Sequence, residues 1–156
     1  MTSPEILKSI LLVEDDLQDV QLILAALEQH HLAERVFVVH DGAEALDYLY
    51  YRGEFEHRTR SCPVLVLLDL KMPKISGLEV LKIIKADELL KGIPVVVLSS
   101  SCETTDLNEC YRHGVNGYVV KAVDYQGFMT SVRQIGAFWG KLNEPPPGNN
   151  TQAAHA

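Results

Sequence analysis

Five short apolar runs alternate with stretches of helical periodicity, and this alternation constrains the fold more than any other feature of the chain. The runs are Ile10 to Val13, Val36 to Val39, Val64 to Leu68, Val95 to Leu98 and Tyr118 to Val120. Most are apolar at every position, as strands buried on both faces of a parallel sheet must be. Between the first two runs, Leu17, Val20, Leu24 and Leu27 recur at spacings of three and four. Tyr125, Phe128, Val132, Ile135 and Trp139 do the same after the fifth, and both sets mark one face of a helix. The repeat predicts an α/β fold, a (βα)5 doubly wound parallel five-stranded sheet. Right-handed crossovers place its helices on both faces.

The remaining elements follow from local signals. A second helix is expected from about Gly42 to Arg52, ending at Gly53, a residue suited to a left-handed terminus. A charged, aperiodic loop then runs from Glu54 to Ser61. Helices three and four fit Gly77 to Ala86 and Thr104 to His113. One domain is expected over residues 1–142, with its core at about 8–142. Residues 143–156, with three consecutive prolines and then small polar residues, read as a disordered tail with no output domain behind it.

In an open sheet of this kind ligands bind beyond the carboxyl ends of the strands. Glu14, Asp15 and Asp16 follow the first run, and Asp69 ends the third. Ser99, Ser100 and Ser101 close the fourth, and Lys121 closes the fifth. Each has a blander reading alone: Asp16 as a helix cap with Asp19 favouring the positive helix end, Asp69 and the serines as turn residues, Lys121 as a solvated cation. Glu14 and Asp15 precede the cap, so capping does not account for them. Together with Asp69 on a neighbouring strand they make an acid cluster that suits a hard divalent ion such as Mg²⁺. Metal ligands, a nucleophile, a hydroxyl donor and a cation on one rim fit phosphoryl transfer to a carboxylate.

Composition excludes several other classes. Lysine and arginine number 14 against 21 acids, and a net charge of −7 disfavours direct nucleic-acid binding. No run has the roughly 18 apolar residues needed to span a bilayer, and the first residues lack a secretory signal, so a cytoplasmic protein without membrane partners is expected. Cys62, Cys102 and Cys110 form no CxxC pair and read as free thiols. The six histidines form no cluster, which argues against a phosphohistidine relay protein. Acids after the first run would repel the phosphates of a nucleotide or flavin.

The chain resembles the receiver domain of bacterial two-component response regulators from about Ile10 to Trp139. The motifs are Val13-Glu14-Asp15-Asp16, Asp69-Leu70-Lys71-Met72-Pro73 with Gly77, Leu98-Ser99-Ser100 and Gly117-Tyr118-Val119-Val120-Lys121. The resemblance implies strand order 2-1-3-4-5, the flavodoxin-like receiver fold. It implies Asp69 as phosphoacceptor and Mg²⁺ held by Asp15, Asp69 and the Lys71 backbone carbonyl, with Glu14 acting through water. Lys121 would pair with the phosphoryl group, and Ser99 and Tyr118 would form the switch. It further implies a signalling protein, not an enzyme, phosphorylated by a histidine kinase and read by a downstream protein or phosphotransfer partner at helix four, strand five and helix five. That face, with Phe138 or Trp139, is also where a homodimer is expected.

Tyr48-Leu49-Tyr50-Tyr51-Arg52-Gly53-Glu54 with its long loop, Ile93-Pro94-Val95-Val96-Val97-Leu98-Ser99 and Phe138-Trp139 are similar to single-domain regulators of cyanobacterial and bacterial phytochromes. A phytochrome kinase is the partner this implies. The alternatives are an intermediate receiver in a phosphorelay and, far behind, an aspartyl-nucleophile phosphatase, which would want an acid where Lys71 stands. Three departures from the family pattern stand out. Ala122 replaces the usual cis proline after Lys121, and a non-proline cis bond costs about 2.5–4 kcal/mol. Ser99 replaces threonine, losing the β-branch that stiffens the side chain. Lys71 adds a second cation near the phosphoryl site.

Overall fold

The computed structural model describes residues 8–121 and 124–146. Five strands alternate with five helices. They are β1 (Ile10–Val13), α1 (Leu17–Glu28), β2 (Val36–Val39), α2 (Gly42–Leu49) and β3 (Leu65–Leu68). Then come α3 (Gly77–Ala86), β4 (Val95–Ser99), α4 (Thr104–Arg112), β5 (Gly117–Val120) and α5 (Tyr125–Ala137). The sheet is parallel throughout, in the order β2-β1-β3-β4-β5. Both the fold class and the strand order agree with expectation.

Side-chain alternation within the apolar runs divides the core into two layers. Leu11, Val13, Val66, Leu68, Val95 and Val97 face Leu46, Leu49, Val80, Leu81 and Ile84 of α2 and α3, with Cys110 of α4. The intervening Ile10, Leu12, Leu65, Leu67, Val96 and Leu98 face Val20, Ile23 and Leu27 of α1, and Phe128 and Val132 of α5. Each such side chain, fully buried, stabilises the fold by about 1.5–3 kcal/mol. Only the three inner strands are apolar-covered on both faces. The edge strands leave Phe37 (41%) and Val120 (42%) exposed.

Caps fix where the helices begin. Asp16 accepts from the backbone N–H groups of Gln18 and Asp19, Asp41 from Glu44, and Ser76 from Glu79. The second helix ends at Leu49, three residues before the expected Arg52. Tyr51 takes the left-handed conformation (φ 56°) ahead of Gly53 (φ 57°). Aromatic packing drives this early stop: Tyr48 stacks on Phe37 at 4.8 Å, and Phe55 packs edge-on against both rings. The loop that follows is ordered around Arg58. Its guanidinium lies 3.9 and 4.0 Å from the ring centres of Tyr48 and Tyr51, and its Nε donates to the Tyr48 carbonyl at 2.7 Å.

After α5 the chain widens into a π-helical turn, Phe138–Leu142. Trp139 packs on the core layer shared by α1 and α5, whereas Phe138 is 46% exposed. Cys62, Cys102 and Cys110 are free, as expected. Among the described residues no helix is long and apolar enough to cross a membrane. The tail expected to be disordered lies outside the described residues beyond residue 146.

Candidate functional site

The first residues beyond β1, β3 and β5 are each held by the last carbonyl of a neighbouring strand. Glu14 N–H donates to Val39 at 3.0 Å, Asp69 N–H to Val13 at 3.1 Å, and Lys121 N–H to Ser99 at 2.7 Å. Because Val13 pairs with Leu68, Glu14 and Asp69 emerge side by side. Carboxylate oxygens of Glu14, Asp15 and Asp69 all lie within 4.8 Å of one another. Glu14 and Asp69 are buried, while Asp15 is exposed and faces the approach from solvent.

Lys121 reaches into this cluster. Its ammonium lies 2.7 Å from Asp19 Oδ2, 3.0 Å from Glu14 Oε2 and 3.7 Å from Asp69 Oδ1, with 15% of the side chain exposed. The electrostatics follow from crowding. Burial, and then the Asp69 charge, lift the Glu14 carboxyl to about 7, against the pull of Lys121 and the Asp16 N–H. Burial also raises Asp69, although Lys121 and the Lys71 N–H oppose it. Burial alone would lower Lys121. The hydrogen bond it donates to Asp19 and the charges of Asp69 and Glu14 outweigh it and hold the ammonium above the ordinary lysine range.

A second group of contacts joins β4, α4 and β5. Ser99, buried, accepts at Oγ from the Ser101 N–H at 3.1 Å. The Tyr118 hydroxyl donates to the Ser101 carbonyl at 2.8 Å. Ser101 Oγ accepts from Glu103 N–H at 3.3 Å and donates to Asp106 Oδ2 at 2.5 Å, in the first turn of α4. Tyr118 is thus tied to the β4–α4 loop.

Glu14, Asp15, Asp69, Lys71, Ser99 and Lys121 lie at the carboxyl edge of the sheet, and Tyr118 stands within β5, paired with Val97. The Lys71 side chain points to solvent, and its backbone N–H serves Asp69. Ala122 lies outside the described residues. Sequence reasoning missed two participants. Asp19 binds Lys121 as well as standing in the first turn of α1, and Ser101 is the hub between Tyr118 and Asp106. Local signals mark Asp19 only as a first-turn acid and Ser101 only as a turn residue, because Lys121 and Tyr118 arrive from distant segments.

A parallel 2-1-3-4-5 sheet with three acids and a lysine at its carboxyl edge defines a phosphoacceptor class of α/β protein. The chain belongs to the response regulator receiver domain family, whose model matches residues 10–133. Members are phosphorylated by histidine kinases, bind Mg²⁺ or Mn²⁺ in the acidic pocket and act on downstream partners. It is 39% identical over 132 residues to the response regulator Rcp1 of Synechocystis, covering 85% of this chain and 88% of that one. The Mn²⁺-bound form of Rcp1 superposes with a TM-score of 0.83 at 37% identity, over 89% and 99% of the two chains. The phosphorylated cyanobacterial phytochrome response regulator RcpA matches with a TM-score of 0.83 at 42% identity, over 89% and 98%. The probable methanogenesis regulatory protein FilR2 of Methanothrix harundinacea is 41% identical over 137 residues, 88% and 86% of the two chains. Its close relatives thus include cyanobacterial phytochrome regulators, and bacteriophytochrome regulators stand among the similar structures.

Proposed function

We propose that this protein is a cytoplasmic receiver that takes a phosphoryl group on Asp69 from a histidine kinase of the phytochrome type. The observation that carries the reading is the triad of Glu14, Asp15 and Asp69 within 4.8 Å, with the Lys121 ammonium among them. An Asp69 oxygen forms the new P–O bond as the P–N bond of the phosphohistidine breaks, and the electron pair returns to the imidazole nitrogen. Lys121 balances charge on the phosphoryl oxygens. The acid cluster, all hard oxygen donors with Asp15 open to solvent, fits Mg²⁺ held by Asp15, Asp69 and the Lys71 carbonyl, with Glu14 through water. When bound, the ion neutralises charge that builds up on the transferring group.

The acyl phosphate adds roughly one to two negative charges beside Ser99. Ser99 uses Oγ as an acceptor for Ser101, which leaves its own O–H free to donate to a phosphoryl oxygen. Any shift of Ser99 passes through Ser101 to Tyr118 on β5 and Asp106 on α4. The exposed Tyr111, Val120 and Tyr125 lie on α4, β5 and α5, and they form the face that a downstream partner or a second copy would read. Exposed Phe138, not core-packed Trp139, extends the apolar surface beyond it.

Asp69→Asn is expected to abolish Mg²⁺-dependent labelling by acetyl phosphate while circular dichroism stays native. Undiminished labelling would sink the assignment. Sedimentation at high concentration tests the second copy: a monomer both with and without phosphorylation removes the homodimer.

A further inference from the structure

Lys121 is nearest neither to the phosphoacceptor nor to the metal-side acid. Its shortest contact, 2.7 Å, is with Asp19, whereas Asp69 stands at 3.7 Å. Asp19 belongs to the first turn of α1, whose N-cap is already satisfied by Asp16. Its carboxylate is therefore not needed for capping, and 25% of its side chain remains exposed. Glu14 is the other acid in direct contact, at 3.0 Å, and its side chain is 1% exposed, so Asp19 is the partner that holds the lysine from the solvent side.

We infer that Asp19 is a positioning residue that parks the Lys121 ammonium away from Asp69 until a phosphoryl group arrives. The inference rests on the reading of Asp69 as phosphoacceptor and deepens it. An incoming phosphoryl group must draw the ammonium off Asp19, so the strength of that pair sets how readily the site reacts. The same pair holds the cation 3.7 Å from Asp69, which leaves the Asp69 oxygens open to a divalent ion. Loss of the Asp19 charge therefore has two effects of opposite sign. The freed lysine moves toward Asp69 and favours phosphoryl transfer, and it competes with the ion for the acids.

The test compares the unaltered protein with Asp19→Asn and Asp19→Glu, following acetyl phosphate labelling by intact mass at saturating Mg²⁺ and Mg²⁺ binding alone by calorimetry. Asp19→Asn is expected to label about two- to fivefold faster and to bind Mg²⁺ about twofold more weakly, the range given by one partly solvated ion pair. Asp19→Glu keeps the charge and should behave as the unaltered protein. In a Lys121→Met background the acceleration by Asp19→Asn should vanish. Slower or unchanged labelling of Asp19→Asn, unchanged or tighter Mg²⁺ binding, failure of Asp19→Glu to restore both values, or acceleration that persists without Lys121 would overturn the inference. Those results leave Asp69 as phosphoacceptor intact, provided Asp69→Asn stays unlabelled. Absence of labelling in the unaltered protein overturns both.

Discussion

Gly77 is the position where the fold and the proposed chemistry can be broken by one methyl group. It opens α3, and its N–H donates to the Leu70 carbonyl at 2.9 Å, closing the loop that carries Lys71 to Ser76. A Cβ there would stand 2.1 Å from the Asp69 carbonyl oxygen, 2.7 Å from Leu70 Cα and 2.9 Å from the Asp69 carbonyl carbon. Ordinary contact begins at 3.4 Å, so the gap must open by about 1.3 Å. Every obstructing atom is backbone, and Asp69 is held by its N–H bond to Val13, so no flexible side chain can yield. Helix propensity alone would make Gly77→Ala stabilising by up to about 1 kcal/mol. Overpacking opposes it, and the net expectation is a loss of about 2–3 kcal/mol, or roughly 5–10 °C in Tm.

The functional consequence is larger than the stability loss. A shift of about 1 Å in the Asp69 main chain carries the carboxylate with it, and misplacement of that size costs up to about a hundredfold in rate. Urea denaturation and acetyl phosphate labelling of Gly77→Ala measure the two effects. Gly117→Ala is the control, because its Cβ would meet only Val96 methyls at 3.5 and 3.7 Å. A Gly77→Ala protein as stable as that control and labelled at the unaltered rate would refute the reasoning.

Two further outcomes follow from features outside the site. Arg58→Ala removes two ring contacts and the hydrogen bonds to Tyr48, Thr59 and Ser61, and should cost about 2 kcal/mol while hydrogen exchange in residues 53–63 accelerates. Arg58→Lys should recover little of it, since lysine lacks the planar fork. Burial and the hydrogen bond to Asp87 push the Tyr50 hydroxyl up to about 12 from 10. The protonated form is the one favoured by folding, so its stabilisation is fully present below pH 10 and is lost as pH rises through about 12. Near-ultraviolet absorbance should show a late-titrating tyrosine that disappears in Tyr50→Phe, and titration of all tyrosines at the ordinary value would contradict the Asp87 pairing.

The sequence by itself determined whatever depends on neighbours along the chain. Apolar runs of four or five residues became strands because their length and pattern suit a doubly covered sheet, and α3 spans Gly77–Ala86 as its periodicity predicts. Asp16 caps α1 because an N-cap is a contact over two or three residues. The grouping of Glu14, Asp15, Asp69 and Lys121 was also legible, because a parallel sheet sends the end of every strand to one edge.

Only the tertiary structure decided what depends on register and on partners from distant segments. The end of α2 is set by Tyr48 stacking on Phe37 of β2, a contact between two elements that no helix-ending signal near Gly53 encodes. Phe138 and Trp139 are adjacent, and the π-helical turn after α5 turns one outward and the other onto the core. Most consequential is the choice of carboxylate for Lys121. Asp19 lies 102 residues away and looks like an ordinary first-turn acid, yet it makes the closest contact. Charge pairing at that distance is a property of the packed α1–β5 geometry, because a lysine at the edge of five strand ends has several acids within reach and only packing selects the nearest.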